Sequence, residues 1–162
     1  MADNHSIYTT PFNAPGCCGL QVNVFLSITS HEVVMSSEEK IEASETRITK
    51  AVFPNTTNHY ATLFGGTALQ WMDEAAFITA TRFCRQKMVT VCSDRIDFKQ
   101  PIPAGTFVEL VGRVVKVGNT SLQVRVTVYL EQMYDESRKK AIEGLFTFVA
   151  IDDNMQPVAV RK

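Results

Sequence analysis

The stretch from Phe64 to Phe77, FGGTALQWMDEAAF, opens on two glycines and carries two adjacent carboxylates, Asp73 and Glu74, in the middle of an otherwise apolar run. Charge is costly in such a place unless it is paired or put to use. At helical spacing Asp73 falls one turn after Leu69, on the edge of an apolar stripe, which predicts a partly desolvated carboxylate; an exposed acid with ordinary behaviour is the plain alternative. Glu74 lies about 100° further round and is expected to face solvent or to pair with a basic group. Other chemistries find little material. There is no Gly-x-Ser-x-Gly elbow, the only histidines are His5, His31 and His59, and no cluster has metal-ligand spacing. The cysteines Cys17, Cys18, Cys84 and Cys92 form neither a Cys-x-x-Cys nor a zinc pattern, so a reducing, cytoplasmic setting is the simplest expectation.

The elements that must position Asp73 follow from pattern. With 162 residues and 45% hydrophobic content, the chain reads as one domain with enough apolar material for a core. Its 16 basic and 17 acidic residues give a net charge of -1, which points away from nucleic acid and anionic membranes. Residues 1–34 contain no Lys or Arg, and LQVNVFLSI is far below the ~20 residues that span a bilayer. Residues 1–43 are therefore expected to be an N-terminal extension, disordered or loosely docked, and the working chain could start at Met35. The domain proper is expected over 44–154, with a C-terminal tail over 155–162.

ETRITKAVF alternates as a first strand, and Pro54 with NTTNHYAT makes a polar loop before a helix from Gly65 to about Arg82. Four strand candidates follow: MVTVCSDRIDF, TFVELVGRVVKV, SLQVRVTVYLEQM and AIEGLFTFVAI. In the third, Leu122, Val124, Val126, Val128 and Leu130 share one face. The order strand, helix, four strands with short connections implies an α+β fold, an antiparallel sheet of about five strands with one long helix against it. Leu69, Met72, Ala76 and Ala80 make one apolar stripe of that helix, and Trp71, Ala75 and Ile78 a second. Such a helix needs cover on both sides, from a curved sheet and from a second copy of the chain.

Three segments, PNTTNHYATLFGGTALQWMDEAA, VTVCSDRIDFKQPIPAGTFVEL and VVKVGNTSLQVRVTVYLE, resemble in order the hotdog-fold acyl-CoA thioesterases, the bacterial type related to the brain-type long-chain enzymes. The similarity runs from Arg47 to Asp152 and implies a curved sheet wrapped around the central helix. It implies hydrolysis of acyl-CoA to free fatty acid and coenzyme A, with coenzyme A as part of substrate and product and no cofactor or metal. Asp73 matches the family's general base or nucleophile, and Asn58 the loop residue that positions water or substrate. Gly65 and Gly66 then read as an oxyanion site, because a helix N-terminus presents unpaired N–H groups and glycine lets a carbonyl approach closely; close packing of the helix on the sheet would use them equally well. For the coenzyme A side, the KVGNTS turn offers Lys116, the amides of Gly118 and Asn119, and the hydroxyls of Thr120 and Ser121, with Arg95 as another phosphate partner. A plain hairpin would use the same turn residues.

Asp73 is eight residues beyond Gly65, about 12 Å along a helix axis, too far for both to reach one thioester carbon. If both act on one bond, the carboxylate comes from an antiparallel copy of the helix, and the active sites are shared across a homodimer; the family suggests a trimer of dimers. Two other readings stay open. A hotdog dehydratase would pair His59 with Asp73, although NHYATLFGG lacks the proline-rich segment of such enzymes and Ile78 stands where the hydratase branch has histidine. A non-catalytic acyl-CoA-binding domain would bind without turnover.

Overall fold

The computed structural model describes residues 35–161. The first 34 residues of the extension lie outside the described residues. Helix α1, Ser37–Ser44, begins in a reciprocal cap: the Glu39 N–H donates to Ser36 Oγ at 3.2 Å and the Ser36 N–H to Glu39 Oε2 at 2.7 Å. Ile41 packs on the core, and Arg82 fastens the end of α1 by donating to the carbonyls of Ala43 and Glu45 and to Thr46 Oγ1.

The strands are β1 Thr46–Ala51, β2 Lys87–Ser93, β3 Asp97–Phe98, β4 Thr106–Val117, β5 Ser121–Gln132 and β6 Arg138–Ile151, with helix α2 over Gly65–Cys84. All pairings are antiparallel, in the order β1-β4-β5-β6-β2, and the two-residue β3 pairs with β6. The expected second strand is thus two, broken at Asp94–Ile96. All five longer strands touch α2, which gives the hotdog arrangement of a sheet curled about one helix.

Alternation explains the core. Leu122, Val124, Val126, Val128 and Leu130 are all buried, as their period of two requires. Each such side chain contributes about 1.5–3 kcal/mol relative to exposure. The helix meets this layer through Ala68, Met72, Ala75, Ala76, Thr79, Ala80, Phe83 and Cys84. Small residues let it sit low. At Gly112 of β4 a Cβ would stand 2.4 Å from Thr79 Oγ1 and 3.1 Å from the Ala75 carbonyl, so only glycine admits this approach.

The helical stripe differs from expectation at one end. Leu69 is 38% exposed rather than buried with Met72, because Ala68 takes the inward position and turns Leu69, Asp73 and Phe77 toward the outer flank. The C-terminal residues are tied down: the N–H groups of Val158 and Val160 donate to the carbonyls of Ala150 and Asn119, and Val160 is buried.

Candidate active site

The N-terminus of α2 is open. Its N-cap, Phe64, supplies no capping side chain, and the N–H groups of Gly65, Gly66 and Thr67 find no acceptor among the described residues. The two glycines have different reasons. A Cβ on Gly66 would stand 2.7 Å from the Phe64 ring, whereas one on Gly65 would meet only Phe98 at 3.8 Å, an ordinary contact. A side chain at position 66 would thus require the exposed Phe64 ring to move, whereas one at position 65 would not.

Asn58 is fixed by its own loop. Its Oδ1 accepts from the N–H of Tyr60 at 2.9 Å, the N–H of Thr62 at 3.3 Å and Thr62 Oγ1 at 3.1 Å. Backbone N–H groups only donate, so the oxygen must face them, and Nδ2 is left as a donor with no partner among the described residues. The Phe64 N–H donates to the Thr56 carbonyl and the Leu63 N–H to that of Ile102, which holds the loop against the head of α2.

Two turns along the helix, Asp73 is half-buried and its Oδ1 accepts a 3.1 Å hydrogen bond from Thr90 Oγ1 on β2. Thr90 was not legible as a site residue. Its one signal is register: it stands two residues after the buried Met88, on the strand face turned to α2. Glu74 points the other way and pairs with Lys50 of β1 at 3.0 Å. His59 is exposed, lies 3.9 Å from the Tyr60 ring centroid and makes no hydrogen bond to Asp73.

Within one chain, Gly65 and Asp73 lie on one unbroken helix, about 12 Å apart by its rise. The flank carrying Asp73 is apolar and uncovered: Leu69 and Phe77 on α2 and Val91 on β2 are 38%, 45% and 55% exposed, and the outer edge of β2 has no strand partner among the described residues.

Of the residues expected to face coenzyme A, those of the β4–β5 hairpin lie toward the C-terminal end of α2, where Lys116 shares a hollow with Phe83, whereas Arg95 lies three residues before Phe98, whose ring stands beside Gly65. In the β4–β5 hairpin the Gly118 N–H donates to the Ser121 carbonyl at 2.7 Å, so that amide is engaged in closing the turn; this corrects its reading as a free donor. The carbonyls of Asn119 and Thr120 accept from Val160 and Ala150. Lys116, Gly118 and Ser121 border a hollow of about 80 Å³ with Gln123 and Thr147. Arg95 is highly exposed and donates through Nε to Asp97 Oδ1 at 2.8 Å, and that bond raises its pKa above the usual guanidinium value.

Comparison with known proteins bears on this geometry. Residues 60–136 match the family described as the thioesterase superfamily. The chain is 38% identical over 133 residues to an uncharacterized acyl-CoA thioester hydrolase of Zymomonas mobilis, covering 81% of this chain and 89% of that one. Its fold is similar to that of an acyl-CoA hydrolase from Staphylococcus aureus in complex with butyryl coenzyme A and coenzyme A, with TM-score 0.71, 34% identity and coverage of 74% and 73%. It is also similar to a hexameric acyl-CoA thioesterase in its apo form, with TM-score 0.72, 37% identity and coverage of 74% and 77%. The Staphylococcus hydrolase has also been studied with an asparagine, an aspartate or a threonine replaced by alanine, the asparagine 15 residues before the aspartate and the threonine 17 after it. Asn58, Asp73 and Thr90 are spaced in the same way. An open helix N-terminus preceded by a loop that orders an asparagine, an aspartate fastened to the edge strand, and these similarities over most of the chain lead to one assignment: the chain belongs to the acyl-CoA thioester hydrolases of the thioesterase superfamily.

Proposed function

We propose that this chain hydrolyses acyl-CoA to a free fatty acid and coenzyme A, at sites shared between two copies. The observation that carries the reading is the pair of features on α2, an N-terminus whose N–H groups are unanswered among the described residues and a carboxylate held by Thr90 too far along the same helix to serve that terminus. Joining two copies through the exposed flank of α2 and β2, with the helices antiparallel, sets the Asp73 of one against the Gly65 of the other.

In that arrangement the thioester oxygen lies against the N–H groups at the head of α2, with Asn58 Nδ2 as a further donor. Asp73 takes a proton from a water that attacks the thioester carbon, and the carbonyl electron pair moves to an oxyanion that those donors stabilise. Collapse expels the coenzyme A sulfur, which leaves as the thiol after accepting a proton. Asp73 as nucleophile, through an anhydride that water then opens, fits the same donors. Six copies, as three such dimers, is the assembly that the hexameric relative supports. A cytoplasmic location is supported by Cys84 and Cys92, both free thiols; among the described residues no helix is long and apolar enough to cross a membrane.

The test is thiol release from acyl-CoAs of graded chain length, compared with Asp73→Asn. Turnover in the wild type, reduced about 10²–10⁴-fold in the variant while acyl-CoA still binds, is the expected result. Saturable binding without turnover in both would establish a binding domain instead.

A further inference from the structure

At the C-terminal end of α2 a cleft of about 340 Å³ opens between α1, the last turn of α2 and the final residues of the chain. That is within the range of small-ligand sites. Four cationic side chains line it, Lys40, Arg82, Arg85 and Arg161, and among the described residues its lining holds no carboxylate. The chain as a whole has a net charge of -1, so this gathering is local. Elsewhere most arginines are answered, Arg47 by Glu45 and Glu109, Arg95 by Asp97, Arg113 by Glu45, Arg138 by Glu109 and Glu131, while Arg125 forms no ion pair among the described residues but lines a hollow with Glu45 and Glu143. No carboxylate of a described residue forms an ion pair with Arg82, Arg85 or Arg161.

The three guanidinium groups also hang on fixed supports. Arg82 is oriented by neutral acceptors alone, the carbonyls of Ala43 and Glu45 and the Thr46 hydroxyl, which hold its planar fork without cancelling its charge. Arg85 ends α2 in the left-handed region at φ 51°, with its N–H closing on the Thr81 carbonyl at 2.8 Å. The N–H of Arg161 donates to Gln86 Oε1 at 2.7 Å, and Gln86 Nε2 in turn donates to the Ala159 carbonyl at 3.0 Å. Like charges gathered on anchored backbones repel one another, and a multiply charged anion relieves that repulsion. Arginine forks suit phosphate oxygens in particular, because two parallel N–H groups match two oxygens.

We propose that this cleft binds a phosphate-bearing ligand, a phosphate or diphosphate group received by Arg82, Arg85 and Arg161. The inference stands on the cleft and does not rest on the thioesterase reading. Two sources share the chemistry: the nucleotide portion of coenzyme A, and a free nucleotide or inorganic phosphate that is no part of the substrate.

The full chain is titrated with inorganic pyrophosphate by calorimetry at low and at raised salt. Saturable binding is expected, weaker at raised salt. Arg85→Gln with Arg161→Gln should weaken it about tenfold or more, and Arg138→Gln, outside the cleft, should leave it unchanged. Replacing the same two arginines by lysine keeps the charge but not the fork and should give binding between that of the wild type and the glutamine variant, a comparison that still decides if the glutamine variant melts early. Absence of saturable binding, or equal affinity in the wild type and the folded glutamine variant, overturns the proposal. Steady-state assays with acyl-CoA then divide the sources. A raised KM in the glutamine variant, with pyrophosphate competing against substrate in the wild type, identifies the nucleotide of coenzyme A. An unchanged KM with pyrophosphate bound identifies a separate phosphate ligand.

Discussion

Thr90 Oγ1 donates a 3.1 Å hydrogen bond to Asp73 Oδ1, and this one contact ties the middle of α2 to the edge strand β2. The carboxylate rotamer is thereby fixed by a strand whose outer edge is free among the described residues.

Removing only that hydroxyl tests what the contact does. Thr90→Val keeps the shape of the side chain, and it should lower kcat about ten- to a hundredfold, since a hydrogen bond to a charged group contributes about 1.5–3 kcal/mol. KM should change little, and Thr90→Ser should restore most of the rate. A purely structural role would show instead as a lowered melting temperature with kcat retained per folded molecule.

A shared site makes a quantitative prediction for mixtures. Asn58→Ala and Asp73→Asn homodimers should each be nearly inactive. After subunit exchange about half the dimers are mixed, each with one intact site of two, so about a quarter of wild-type activity should return. Exchange is verified by mass. A fully exchanged mixture as silent as its parents would place both residues in one chain's site.

Gly65 separates packing from chemistry. Because its Cβ position meets only Phe98 at 3.8 Å, Gly65→Ala should fold normally and gain up to about 1 kcal/mol in denaturant unfolding from helix propensity. Turnover should nonetheless fall, as a methyl group then stands where a thioester oxygen approaches. Full activity in a stable Gly65→Ala variant would remove the oxyanion role from this position. Gly112→Ala is the contrasting case and should lose about 1–3 kcal/mol of stability, the usual result of forcing volume into a packed layer.

Truncation tests the N-terminal extension. A chain starting at Met35 keeps α1 with its Ser36 cap and the three contacts of Arg82, so it should fold and retain most of its turnover. Starting at Glu45 instead removes α1, uncovers Phe83 and takes from Arg82 its bond to the Ala43 carbonyl. That shorter form should melt at a lower temperature. Insolubility of the Met35 form would show that residues 1–34 belong to the folded unit.

Much of this could be read from the chain because the signals are local. The period of two in Leu122–Leu130, the turn residues of KVGNTS and the glycines before an apolar run are set by neighbours within a few residues, and backbone geometry converts them directly into strand, hairpin and helix start. The spacing of Gly65 and Asp73 is equally local, since helical rise fixes it. Tertiary structure decided what depends on residues far apart in sequence. The inward position of Ala68 rather than Leu69 follows from how α2 is turned about its axis against the sheet, which no periodicity encodes. Thr90 meets Asp73 only because β2, 17 residues on, forms the sheet edge beside that face of the helix. The basic cleft likewise draws on Lys40, Arg82, Arg85 and Arg161, four positions from three separate stretches of chain. Side-chain type is written in the sequence, but which side chains share a volume is settled by packing, where every element competes for the same core.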